Sequence, residues 1–87
     1  MRFWAREFKD NRMIRDIVIV NHDDDTRTHK VFAAIDAIGY ELDIPRPIWL
    51  DSNINDFRQY SKVRFYRDSF IEEVPFDYLE FSVLEED

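Results

Sequence analysis

The apolar residues of this chain change period between Val20 and Val31, and that change constrains the fold more than any other feature. Ile17-Val18-Ile19-Val20 is an unbroken β-branched run. Apolar on both faces, it predicts a central strand covered on one side and in part on the other. From Val31 onward the apolar positions step by four, three and four through Ile35, Ile38 and Leu42, joined by Phe32 and Ala34. That is the spacing of one helix face. Asn21-His22-Asp23-Asp24-Asp25-Thr26, between the two, offers N-cap side chains and negative charge where the helix dipole is positive. An amphipathic helix is therefore expected from about Thr26 to about Tyr40. Gly39, the only glycine, stands where the helix can end, and Ile44-Pro45 blocks continuation.

The remaining elements follow from shorter signals. Phe3 to Phe8 and Met13 to Val20, joined by Lys9-Asp10-Asn11-Arg12, read as an N-terminal hairpin. Ile48-Trp49-Leu50 reads as a short strand after the extended connector Pro45-Arg46-Pro47. Asp51 or Ser52 can cap one or two helical turns through Asn55, Phe57 and Tyr60. Val63 to Arg67 and Leu79 to Leu84 alternate with a period of two and read as antiparallel strands with one wet face, and the acidic end Glu85-Glu86-Asp87 is expected to fray. The order is β-β-α-β-(short α)-β-β: an α+β fold, with an antiparallel or mixed sheet of four to five strands and one long amphipathic helix packed on one face. Residues 1–87 form a single domain, since 87 residues support one core.

Fourteen aromatic residues, Phe, Tyr and Trp together, give the core its bulk. With no cysteine in the chain, disulfide scaffolds, thiolate zinc sites and cysteine nucleophiles are excluded. The sequence shows neither a signal-peptide apolar stretch nor a membrane-spanning run, so a cytoplasmic location is expected. Net charge is −7, and every basic residue lies at or before Arg67, which leaves Asp68 to Asp87 with eight acidic residues and no basic one. This balance disfavours non-specific binding to nucleic acid or anionic lipid.

Three arrangements carry possible chemistry. His22, Asp24, Asp25 and His29 hold imidazole and carboxylate ligands suited to a divalent metal, and so to a small metal-dependent hydrolase, if the loop folds back on the first helical turn. Helix capping accounts for the same residues. Arg2, Trp4, Arg6 and Phe8 share one face of a regular first strand, as Arg64 and Tyr66 do on a later one. Together with Trp49 they form a candidate interaction surface for a protein partner or for single-stranded nucleic acid, although ordinary sheet packing of arginine stems over rings gives the same pattern. The acidic C-terminal stretch could mimic a nucleic-acid backbone, yet its interleaved Phe70, Ile71, Phe76, Phe81 and Val83 mark it as core-forming. No serine lies in a nucleophile-elbow context, and one glycine cannot build a phosphate-cradling loop. No cofactor is implied.

In the segments Lys9-Asp10-Asn11-Arg12, Asp25-Thr26-Arg27-Thr28-His29-Lys30, Pro47-Ile48-Trp49-Leu50, Phe70-Ile71-Glu72-Glu73 and Phe76-Asp77-Tyr78-Leu79-Glu80, the chain resembles a group of short acidic bacterial proteins of unknown function. The resemblance covers nearly the whole length. It implies a free-standing domain and carries no activity or site residue. The reading the residues favour is a non-enzymatic, homodimeric protein-interaction module.

Overall fold

Strands β1 (Arg2–Lys9) and β2 (Arg12–Val20) are joined by Asp10 and Asn11, whose φ angles of 52° and 63° are both left-handed. Two consecutive positive φ values are the signature of the two-residue hairpin turn whose twist matches its flanking strands. Asp and Asn tolerate that region better than other residues with a Cβ. In the computed structural model, which describes residues 1–87, the hairpin begins in simple register, with Lys9 opposite Arg12 and Phe8 opposite Met13. A bulge then inserts Ile14, so that Glu7 meets Arg15 instead. The shift holds to the far end of the hairpin, where Arg2 faces Val20.

The sheet has four strands in the order β2-β1-β4-β3, all antiparallel, with β3 at Lys62–Tyr66 and β4 at Tyr78–Glu85. The first and last strands therefore pair at its centre. This overturns the central position expected for Ile17–Val20: β4 takes the other side of β1, and β2 is left on the edge. Ile17 and Ile19 still pack against the core, but Val18 and Val20 are 43% and 54% exposed on the opposite face. No backbone hydrogen bond joins the outer side of β2 to any other segment.

Helices α1 (Arg27–Leu42) and α2 (Asp51–Tyr60) share the inner face of the sheet, in place of the one long amphipathic helix that the spacing suggested. α1 is not cleanly two-faced: Lys30 is buried among its inner residues, while Phe32 and Tyr40 are exposed. Thr26 is its N-cap, the hydroxyl oxygen accepting from the His29 amide at 3.2 Å. The helix runs through Gly39 rather than ending there. Asp43 supplies the left-handed C-cap at φ 53°, and Gly39 lets the chain turn back closely, since a Cβ there would stand 3.2 Å from the Ile44 carbonyl oxygen.

The strand expected at Ile48-Trp49-Leu50 is absent, because a single bridging bond, Ile48 N–H to the Ser69 carbonyl at 2.7 Å, is all the ladder this segment makes. Pro45 and Pro47 remove the donors that a longer ladder needs. The segment instead delivers Leu50 as N-cap of α2, which is longer than the one or two turns expected. Asn53 fastens that end: its Oδ1 accepts from the Leu50 amide and the Ser69 hydroxyl, and its Nδ2 donates to the Arg64 carbonyl.

Phenylalanine supplies six of the core's 17 buried apolar residues, with Phe3 stacked on Phe81 at 5.5 Å and Phe57 on Phe81 at 5.6 Å. Full burial of such a side chain contributes about 1.5–3 kcal/mol. One ion pair enters the same layer: Glu7 is wholly buried and receives two hydrogen bonds from the Arg15 guanidinium, at 2.9 and 2.8 Å. Arg15 also donates to the Leu42 carbonyl at 3.0 Å, satisfying one of the orphan oxygens at the end of α1.

Candidate functional site

The period of two in each strand separates the sheet's faces. Along β1, Phe3, Ala5 and Glu7 turn to the helices, and Trp4, Arg6 and Phe8 turn to the other side, which no element covers. Register then decides which residues join them. Trp4 lies opposite Val18 and Ser82, Arg6 opposite Asp16 and Glu80, Phe8 opposite Met13 and Tyr78, and Arg64 opposite Glu80. Of the seven residues expected to form an interaction surface, Arg2, Trp4, Arg6, Phe8, Arg64 and Tyr66 thus fall on one open face. Trp49 does not. It stands on the helical side, edge-on to Phe32, Phe57 and Phe65 at 4.9–6.4 Å.

The open face is an ordered lattice of rings and charges. The Arg6 guanidinium lies 4.0 Å from the Trp4 ring centroid and 5.3 Å from that of Phe8, and Arg64 lies 4.8 Å from that of Tyr78. Phe8 stacks on Tyr78 at 5.0 Å, and Tyr78 meets Tyr66 at 5.3 Å. The Trp4 indole N–H donates to Asp16 at 2.9 Å. Glu80, buried beneath this layer, pairs with both Arg6 and Arg64, while Arg2 pairs with Glu85. The sequence reading missed Glu80, although it occupies the same alternating face of β4 as Tyr78, directly between two arginine-bearing strands.

The proposed metal ligands are not assembled. No group of three His, Asp or Glu side chains stands where it could hold a metal ion. Asp25 accepts from His29 Nδ1 at 2.9 Å and from the Thr26 amide at 2.7 Å. Those hydrogen bonds, that of His29 first, hold its carboxyl below the usual carboxylate range. The His22 and Asp24 side chains enter no hydrogen bond or ion pair, so the cluster is a capping loop.

The acidic end is also tied down rather than frayed. Glu86 receives two hydrogen bonds from Arg27, at 2.9 and 3.1 Å, and Asp87 pairs with Lys30 at 2.6 Å and with the Met1 amino group at 2.8 Å. These cations lower both carboxyls, Asp87 to about 2. No helix is long and apolar enough to cross a membrane.

The open face offers aromatic contact area and charges of both signs, the ingredients of a protein-binding surface. Compared with protein families, curated proteins and solved structures, the chain matches none.

Proposed function

We propose that this protein is a non-enzymatic, cytoplasmic protein-interaction module that pairs with a second copy of itself through the open sheet face. The observation that carries the reading is the one-sided sheet: two helices cover one face, and the other presents Trp4, Phe8, Tyr66, Tyr78 and Val18 interleaved with arginine. Charge favours a copy of the same face over a polyanion. Arg6 and Arg64 share Glu80, Asp16 lies opposite Arg6, and Arg2 pairs with Glu85, so these three arginines face three carboxylates and leave little net positive charge for phosphates. A face bearing both signs can instead complement itself under a two-fold rotation. The absence of cysteine suits a reducing compartment.

Four strands about 4.8 Å apart, with about eight residues each rising about 3.4 Å, give a footprint of about 500 Å². That is below the roughly 800 Å² per partner of a standard interface, so the dimer is expected in the micromolar range. Sedimentation equilibrium tests it. The expected result is a concentration-dependent mass rising toward twice 10.7 kDa, with Val18→Glu and Tyr66→Glu remaining at 10.7 kDa and folded. Both side chains are substantially exposed, so neither change disturbs the core. A wild-type mass fixed at 10.7 kDa at all concentrations, or variants that associate as the wild type does, overturns the proposal.

A further inference from the structure

On the helical side, away from the open sheet face, a cavity of about 360 Å³ lies between the start of α1 and α2. Its wall is apolar and largely aromatic, formed by Val31, Phe32, Trp49, Ile54 and Phe57, and three polar residues, Arg27, Thr28 and Arg58, complete its lining. The volume falls within the range of small-molecule sites, which pair apolar walls with a few polar groups.

Two observations bear on this cavity. Seven of the nine arginines in this acidic chain pair with one of its own carboxylates. Arg27 is among them, with two hydrogen bonds to Glu86 and a third to the Ser61 hydroxyl. Arg58 has no such partner, so the cavity holds one free guanidinium. The second observation lies in the wall: the Trp49 indole nitrogen is buried with no hydrogen-bond partner, and a buried donor is ordinarily satisfied.

We infer that this cavity binds a small organic monoanion: an aromatic or branched apolar body carrying one carboxylate. The body fills the aromatic wall, and the carboxylate meets the Arg58 fork, whose geometry suits bidentate pairing. One free cation sets the charge at one. The cavity has no glycine-rich turn to cradle a polyphosphate.

The chain contains only two tryptophans, which places one indole N–H reporter in each region, Trp4 on the open face and Trp49 in the cavity wall. The test titrates the full chain with phenylbutyrate and, separately, with its uncharged analogue phenylbutanol, reading both indole resonances by NMR and assigning them with Trp4→Phe. The expected result is a saturable shift of Trp49 alone, with affinity falling about tenfold or more for phenylbutanol and for Arg58→Gln. Arg58 is exposed and makes no ion pair, so its variant keeps the fold, which an unmoved Trp4 resonance verifies. No Trp49 shift, equal binding of acid and alcohol, or undiminished binding by Arg58→Gln would each overturn the inference. The outcome is independent of whether the sheet faces pair.

Discussion

Replacing Arg15 with Met tests how the sheet and α1 are joined. The Glu7 carboxylate has no exposure of its own, and Arg15 supplies both of its hydrogen bonds as well as one to the Leu42 carbonyl. Arg15→Met keeps an unbranched apolar stem like that of arginine but strands a buried charge, a change that ordinarily costs about 3–5 kcal/mol. The arginine end is 45% exposed, so water can reach part of the vacated space, and about 3 kcal/mol is expected. A chain of this size has about 4–13 kcal/mol of total stability, and 3 kcal/mol lowers its melting temperature by roughly 12–24 °C. Urea denaturation of wild type, Arg15→Met and Glu7→Leu/Arg15→Met measures it. The double variant removes both charges and should recover to within about 1 kcal/mol of wild type. An Arg15→Met protein within about 1 kcal/mol of wild type, or a double variant no better than the single one, would show that the Glu7–Arg15 pair does not join the sheet to α1 in this way.

Two further outcomes follow from the termini of the elements. Asp43 is a left-handed residue, at φ 53°, carrying negative charge at the C-terminal end of α1; Asp43→Gly should raise stability by about 1 kcal/mol in the same urea assay. Asp87, with its carboxyl lowered to about 2 by Lys30 and the Met1 amino group, stabilises the fold above its unfolded value of about 3.9. That contribution is lost as pH falls toward 2. The difference in melting temperature between wild type and Asp87→Asn should therefore be constant between about pH 5 and pH 7 and vanish toward pH 2; a difference that persists at the acid end contradicts the pairing.

Where local pattern dictated structure, the sequence was readable. The Asp10-Asn11 turn, the alternation in β3 and β4, and the step through Val31, Ile35, Ile38 and Leu42 each reflect a constraint acting within about a dozen residues. Strand order is a non-local property, and it misled the reading of Ile17–Val20, whose apolar run is the same on an edge strand as in a sheet centre. The bulge at Ile14 had a similar effect. A regular two-residue hairpin sets Ile14 against Glu7, and only the extra residue brings Arg15 there, so the buried pair is invisible to counting. For the candidate surface, parity placed Arg2, Trp4, Arg6 and Phe8 on one face. Trp49 escaped it because it belongs to no strand. Glu80 was not singled out within the alternating Leu79 to Leu84 strand, since its burial depends on two arginines arriving from separate strands.

Pairing of the open sheet face with a second copy is measured by following the two indole N–H resonances on dilution. The Trp4 resonance should shift with concentration along a dimerisation curve while that of Trp49, on the helical side, stays fixed. A Trp4 resonance independent of concentration, or a shift confined to Trp49, would contradict such pairing.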